Sequence, residues 1–143
     1  MTASGELPTP NQSYKILLVD DDENLLFAAN ALLVTKGYDV NIAKTGAEAI
    51  RISKRKKFHL AIIDINLPDM SGVDLLKLFK VSCPGMRKVI MTGFATKDNA
   101  IRAVNYGADL FLTKPVDLND FTKAIEDQLE KQLDGRRGPS LAK

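Results

Sequence analysis

Asp20, Asp21, Asp64, Thr92 and Lys114 each follow a short apolar run, and together these five residue types suit the transfer of a phosphoryl group. YKILLV leads into Asp20 and Asp21, LAII into Asp64, KVIM into Thr92, and DLFLT into Lys114. Gathered at one rim, three carboxylates about 4 Å apart would repel by about 4 kcal/mol per pair at an effective dielectric of about 20. Three such pairs rival the whole stability of a small domain, about 5–15 kcal/mol, so the cluster requires a cation or bound protons. The sequence has one histidine and one cysteine, and a hard all-oxygen donor set selects Mg²⁺ over zinc. Lys114 adds a fixed positive charge and Thr92 a hydroxyl donor. Such groups can stabilise the equatorial oxygens of a phosphoryl group in transfer. A carboxylate at their centre, Asp64, is then a nucleophile that forms an aspartyl phosphate. The chain lacks a Walker-type glycine-rich cradle, which argues against a nucleotide donor.

The elements that must position these residues follow from periodicity. Continuous apolar runs bounded by turn formers read as strands buried on both faces of a parallel sheet. YDVNIA (38–43) instead alternates, with Tyr38, Val40 and Ile42 on one side, and reads as a half-exposed edge strand. Between the strands lie helical patterns. The first carries Leu25, Ala28, Ala29, Leu32 and Leu33 and stops at Gly37; the second runs from about Gly46 into Lys54, Arg55, Lys56 and Lys57. A third covers Val73–Val81 and ends at Cys83, Pro84 and Gly85. A fourth starts near Thr96, with a thin apolar face of Ala100, Ile101 and Val104, and stops at Gly107. The fifth starts near Asp117 and carries Leu118, Phe121, Ile125 and Leu129. Five strands alternating with five helices predict an α/β fold, a doubly wound five-stranded parallel sheet. With the second strand at an edge, the order is 2-1-3-4-5. Its switch point falls between strands one and three, where Asp20, Asp21 and Asp64 stand.

Bulk composition narrows the function. At 143 residues the chain is one domain's worth, enough to bury about 70% of its unfolded surface. A net charge of +2 is too small to predict contact with nucleic acid or an anionic membrane. The basic cluster Lys54–Lys57 lacks interleaved aromatics and reads as a solvated helix end that complements the macrodipole. No apolar run reaches membrane-span length, and MTASGELPTPNQS (1–13) has no signal-peptide pattern. It reads as a disordered leader, with a domain over 14–134 and a flexible basic tail over 135–143. The single Cys83 fits a reducing, cytoplasmic setting.

Four motifs, LLVDDD, AIIDINLPDMSG, VIMTG and DLFLTKP, in this order and with compatible spacing, resemble the receiver domain of two-component response regulators, whose fold is flavodoxin-like. The resemblance covers roughly Lys15 to Leu133. It implies that Asp64 accepts a phosphoryl group from a phosphohistidine on a cognate histidine kinase or histidine phosphotransfer protein. It further implies that Asp21, Asp64 and the backbone carbonyl of Asn66 ligate Mg²⁺, with Asp20 acting through a water. Lys114 would pair with the acidic cluster and then the phosphate, before a Pro115 peptide bond that is commonly cis. Thr92 would swing toward the phosphate, and Phe111 would follow as the switch aromatic. Phe there, with no hydroxyl, must switch by packing. Such a domain is a phosphoacceptor with autocatalytic chemistry only, and its output is a downstream protein target or a homodimer. The expected docking face is formed by helix four, strand five and helix five. Passing the phosphoryl group to another protein's histidine is the alternative. The sequence as it stands leaves few residues for an effector domain after the last helix; in a longer regulator the linker would begin near Gly135.

Several neighbours have plainer readings. Asp22 reads as a helix-start residue, although a one-residue shift would bring it into the acidic pair. Pro68 and Asp69 read as turn formers. His59 sits at the far end of its strand from Asp64, which suits a surface role rather than a phosphate relay. Phe94, two after Thr92, is apolar where a polar side chain would orient water; with Asn66 it is expected to slow hydrolysis. Two rival functions remain. A phosphatase of the haloacid dehalogenase type also forms an aspartyl phosphate, but it wants a second acid two residues after the nucleophile. Here that residue is Asn66, which exchanges no proton near neutral pH, and there is no room for a cap domain. A receiver fold kept as a silent binding module would be signalled by loss of Asp64, Thr92 or Lys114, and all three are present.

Overall fold

The computed structural model describes residues 14–136. The elements alternate along the chain as β1 (Lys15–Val19), α1 (Glu23–Thr35), β2 (Asp39–Ala43), α2 (Gly46–Arg55), β3 (Leu60–Ile63), α3 (Gly72–Ser82), β4 (Arg87–Thr92), α4 (Lys97–Asn105), β5 (Leu110–Thr113) and α5 (Leu118–Arg136). All strand pairs are parallel, in the order β2-β1-β3-β4-β5. This is the doubly wound, flavodoxin-like sheet expected from the sequence, with β2 at an edge.

The uninterrupted apolar runs arise because both faces of the sheet are covered. Leu17, Val19, Ala61, Ile63 and Ile90 point into one layer, where Ala49 of α2, Val73, Leu75, Leu76 and Phe79 of α3, and Ala103 of α4 pack on them. Their alternates Ile16, Leu18, Leu60, Ile62, Val89 and Met91 point into the other, against Leu26, Ala29 and Leu33 of α1 and Phe121, Ile125 and Leu129 of α5. Each fully buried Leu, Ile or Phe contributes about 1.5–3 kcal/mol, so the central strands are held firmly between two layers.

Helix ends follow local chemistry. Asp22, Thr45, Ser71 and Thr96 cap α1 to α4 with side-chain oxygens that accept backbone N–H bonds, the usual remedy for the first amides of a helix. Gly37 and Gly107 follow α1 and α4 with φ of 94° and 99°, a left-handed conformation that suits glycine. Asp22 is therefore the helix-start residue expected from the sequence.

Two helices differ from expectation. In α4 the buried residue is Ala103, while Ile101 and Val104 are 49% and 65% exposed. Leu118, expected on the core face of α5, is 45% exposed because it opens the helix. That helix continues to Arg136, past the glycine at which the tail was placed. The expected leader and the rest of the tail lie outside the described residues. Among the described residues, no helix is long and apolar enough to cross a membrane.

Candidate functional site

The site residues stand where the sheet ladder runs one step beyond each strand. Asp20 N–H donates to the Ala43 carbonyl at 3.0 Å, Asp64 N–H to Val19 at 3.0 Å, and Lys114 N–H to Thr92 at 2.9 Å. The backbones of these residues are thus fixed by neighbouring strands rather than by loops. Asp20, Asp21 and Asp64 each offer a carboxylate oxygen, and these oxygens lie within 4.8 Å of one another. Asp20 and Asp64 are buried, Asp21 exposed.

Lys114 crosses to this cluster. Its Nζ lies 2.8 Å from Asp20 Oδ2 and 3.1 Å from Asp64 Oδ2. The remaining oxygens of these aspartates accept backbone bonds, Asp20 Oδ1 from Asp22 N–H at 3.0 Å and Asp64 Oδ1 from Asn66 N–H at 3.2 Å. Burial pushes the Asp20 carboxyl above its usual 3.8, against the opposing pull of Lys114. Burial pulls Lys114 down, but the bonds and charges of Asp20 and Asp64 outweigh it and hold the ammonium above 10.5. The pair thus favours charge on the lysine more than on its buried aspartate. Three carboxylates against one ammonium leave two negative charges, and every donor is oxygen. This set fits a hard divalent cation such as Mg²⁺.

Thr92 is fully buried, and its Oγ1 accepts the Phe94 N–H at 3.0 Å. The β4–β5 register sets Phe111 beside Ile90 and Thr113 beside Thr92. Ile90 and Phe111 both belong to the layer under α2–α4, and alternation along β4 places Thr92 on that same face. Phe111 is partly buried there, packed against the core rather than enclosed by it. Phe94 is 55% exposed at the rim. The Lys114–Pro115 peptide bond is cis. His59 lies at the other end of the sheet, where its Nδ1 accepts the Lys15 N–H at 3.0 Å. A cavity of about 590 Å³ is also at that far end, lined in part by Lys15, His59 and Cys83. None of Asp20, Asp21, Asp64, Thr92 or Lys114 lines it.

Two further contributors are Asp69, which the sequence presents as a turn former, and Gly72, which enters there only as the end of the motif AIIDINLPDMSG. Asp69 accepts from Gly46 N–H at 2.8 Å and Ala47 N–H at 2.9 Å, and these bonds, the Ala47 one first, hold its carboxyl below the usual 3.8. Gly72 packs directly against the Asp64 backbone: a Cβ there would overlap the Asp64 carbonyl oxygen and come within 2.7 Å of Ile65 Cα. The Asp69 role has no local signal, because its amide partners belong to another turn of the fold.

Comparison with known proteins gives a consistent result. The response regulator receiver domain family matches residues 16–126. The transcriptional regulatory protein GlrR of Escherichia coli (strain K12) is 39% identical over 116 residues, which is 81% of this chain and 26% of that protein. The photosynthetic apparatus regulatory protein RegA of Cereibacter sphaeroides is 33% identical over 77% of this chain and 60% of its own length. The chain thus spans about a quarter of GlrR and under two thirds of RegA. Among solved structures, a CheY-like response regulator receiver domain protein from Methanospirillum hungatei JF-1 superimposes with a TM-score of 0.83 at 38% identity, covering 85% of this chain and 98% of that one. The beryllofluoride-activated NtrC4 receiver domain dimer gives 0.78 at 31% identity, with 82% and 98% covered.

Proposed function

The chain belongs to the response regulator receiver family, the phosphorylation-activated switches of two-component systems, and from this we propose that Asp64 is its phosphoacceptor. The observation that carries the proposal is the convergence of Asp20, Asp21 and Lys114 on Asp64, which stands at the switch point between β1 and β3. An Asp64 carboxylate oxygen attacks the phosphorus of a phosphohistidine on a partner kinase or histidine phosphotransfer protein. The O–P bond forms as the P–N bond breaks, and the electron pair leaves on the imidazole nitrogen, which is then protonated. Lys114, held charged, faces the oxygen that gains the phosphoryl group and can follow its negative charge. Thr92 offers its hydroxyl from the end of β4. Asp21, Asp64 and the Asn66 carbonyl would hold Mg²⁺, with Asp20 acting through a water. Bound there, the ion supplies divalent charge that offsets both the acidic cluster and the phosphoryl oxygens.

Output is a protein contact on the face of α4, β5 and α5. Ile101, Val104 and Leu118 are exposed apolar residues on its two helices, and Phe111 is packed only partly. Movement of Thr92 toward the phosphate and of Phe111 inward biases this face between two arrangements. The phosphorylated form then pairs with a second copy or docks on a downstream protein. Treatment with hydroxylamine tests the chemistry: an acyl phosphate on Asp64 is cleaved to a hydroxamate, whereas a phosphoryl group that survives would place it on a hydroxyl residue and refute the assignment.

A further inference from the structure

The loop between β3 and α3 carries Asn66, and its inner part is tied down locally. Gly72 N–H donates to the Ile65 carbonyl at 2.6 Å, and Asn66 and Ser71 form an isolated antiparallel bridge. Its outer part, Pro68 and Asp69, is exposed. That part is joined to the body of the domain through the Asp69 carboxylate, whose two oxygens accept the Gly46 and Ala47 amides at 2.8 and 2.9 Å. These are the first two amides of α2, which lack partners within the helix. The cap proper of α2 is local, since Thr45 Oγ1 accepts the Glu48 N–H at 3.0 Å. Asp69 therefore adds a second clasp, reaching from another segment of the chain.

Residue 46 serves the same contact in a second way. A Cβ there would overlap Met70 Sδ and Cγ, so a glycine lets the loop lie flat on the helix. One position supplies both a free amide and the space for the neighbouring loop side chain. The same loop carries Asn66, whose N–H donates to Asp64 Oδ1 at 3.2 Å.

We propose that Asp69 is a positioning residue for the phosphorylation site, clamping the Asn66 loop to α2 and so fixing Asn66 and Asp64 in the arrangement that accepts a divalent cation. This rests on the reading of Asp64 and Asn66 given above. Residues that orient metal ligands typically change affinity by about 10- to 100-fold when removed, so the effect falls on binding more than on folding.

The test uses the whole chain and four proteins: wild type, Asp69→Ala, Asp69→Asn and Thr45→Ala. Mg²⁺ is titrated by calorimetry, and amide hydrogen exchange is followed in metal-free protein. Asp69→Ala is expected to weaken Mg²⁺ binding about tenfold and to speed exchange at Asn66 and Gly72. Asp69→Asn, which keeps one acceptor oxygen, should recover part of both. Thr45→Ala should lower the melting temperature by a few degrees, roughly the effect of losing one cap, with Mg²⁺ affinity unchanged. Equal loss of affinity in Asp69→Ala and Thr45→Ala would overturn the proposal, since Asp69 would then act only through helix stability. So would wild-type affinity in Asp69→Ala. If the wild type itself bound no Mg²⁺, the assignment of the metal ligands would fail instead, and unchanged exchange at Asn66 and Gly72 in Asp69→Ala would still refute the clamp.

Discussion

Lys114 follows β5 and Asp20 follows β1, three places apart in the sheet, yet their side chains meet at 2.8 Å. The lysine spans the ends of β4 and β3 to reach it, passing 3.1 Å from Asp64 on the way. One side chain therefore draws together the residues at the switch point, and its removal has consequences for stability as well as chemistry. In Lys114→Ala two buried carboxylates lose their only described ammonium partner. Breaking a buried pair from one side costs about 3 kcal/mol, and chemical denaturation at neutral pH without metal should show a loss of this size. The loss should shrink on acidification, as Asp20 takes up a proton.

The same burial gives Asp20 a signature in pH. Its folded-state pKa is raised above 3.8, so the folded protein binds the proton more tightly than the unfolded chain. The stability this supplies is full below 3.8 and is lost as pH rises through the folded value. Asp20→Asn should therefore be more stable than wild type at neutral pH without metal, and the gain should fade as pH falls through the raised folded value and be gone below about pH 4. Urea unfolding across this range reads it directly. Saturating Mg²⁺, at 100 times its dissociation constant, should add about 2.7 kcal/mol to the wild type and less to the variant.

Gly72 should tolerate no side chain. A Cβ would strike the backbone of Asp64 and Ile65, which cannot yield without moving β3. Gly72→Ala should cost about 3 kcal/mol, at the upper end for an overpacked site, and reduce phosphorylation in whatever fraction remains folded. Gly46→Ala overlaps the flexible Met70 side chain, with Asp69 Oδ1 at 3.4 Å, and should cost about 1 kcal/mol. Thermal unfolding of the two variants side by side separates a backbone collision from a side-chain one.

Phe94 is half-exposed at the rim, and its N–H already serves Thr92. Replacing it with Glu keeps that backbone bond while offering a group that can orient water. The aspartyl phosphate should then hydrolyse about tenfold to a hundredfold faster, the scale of general acid–base assistance. A phosphoryl lifetime equal to wild type would show that Phe94 does not shield the site.

What the sequence made legible was whatever had a local or periodic signature. Runs such as LAII told of strands covered on both faces, because every position in them must be apolar. The alternation of Tyr38, Val40 and Ile42 told of an edge. The site residues could be found because strand ends in such a sheet converge. What stayed hidden was contact between distant segments. Asp69 looked like a turn former because its amide partners lie 23 and 22 residues back. Ala103, rather than Ile101 or Val104, lies in the core under α4. Hydrophobicity alone ranks those three in the wrong order.

The central claim, that Asp64 takes up the phosphoryl group, is met most directly by intact mass. Wild type and Asp64→Asn are incubated with acetyl phosphate, a small acyl-phosphate donor, and Mg²⁺. The wild type should gain about 80 Da, one phosphoryl ester on a carboxylate, and the variant nothing. An equal gain in both proteins would place the phosphoryl group elsewhere and contradict the assignment.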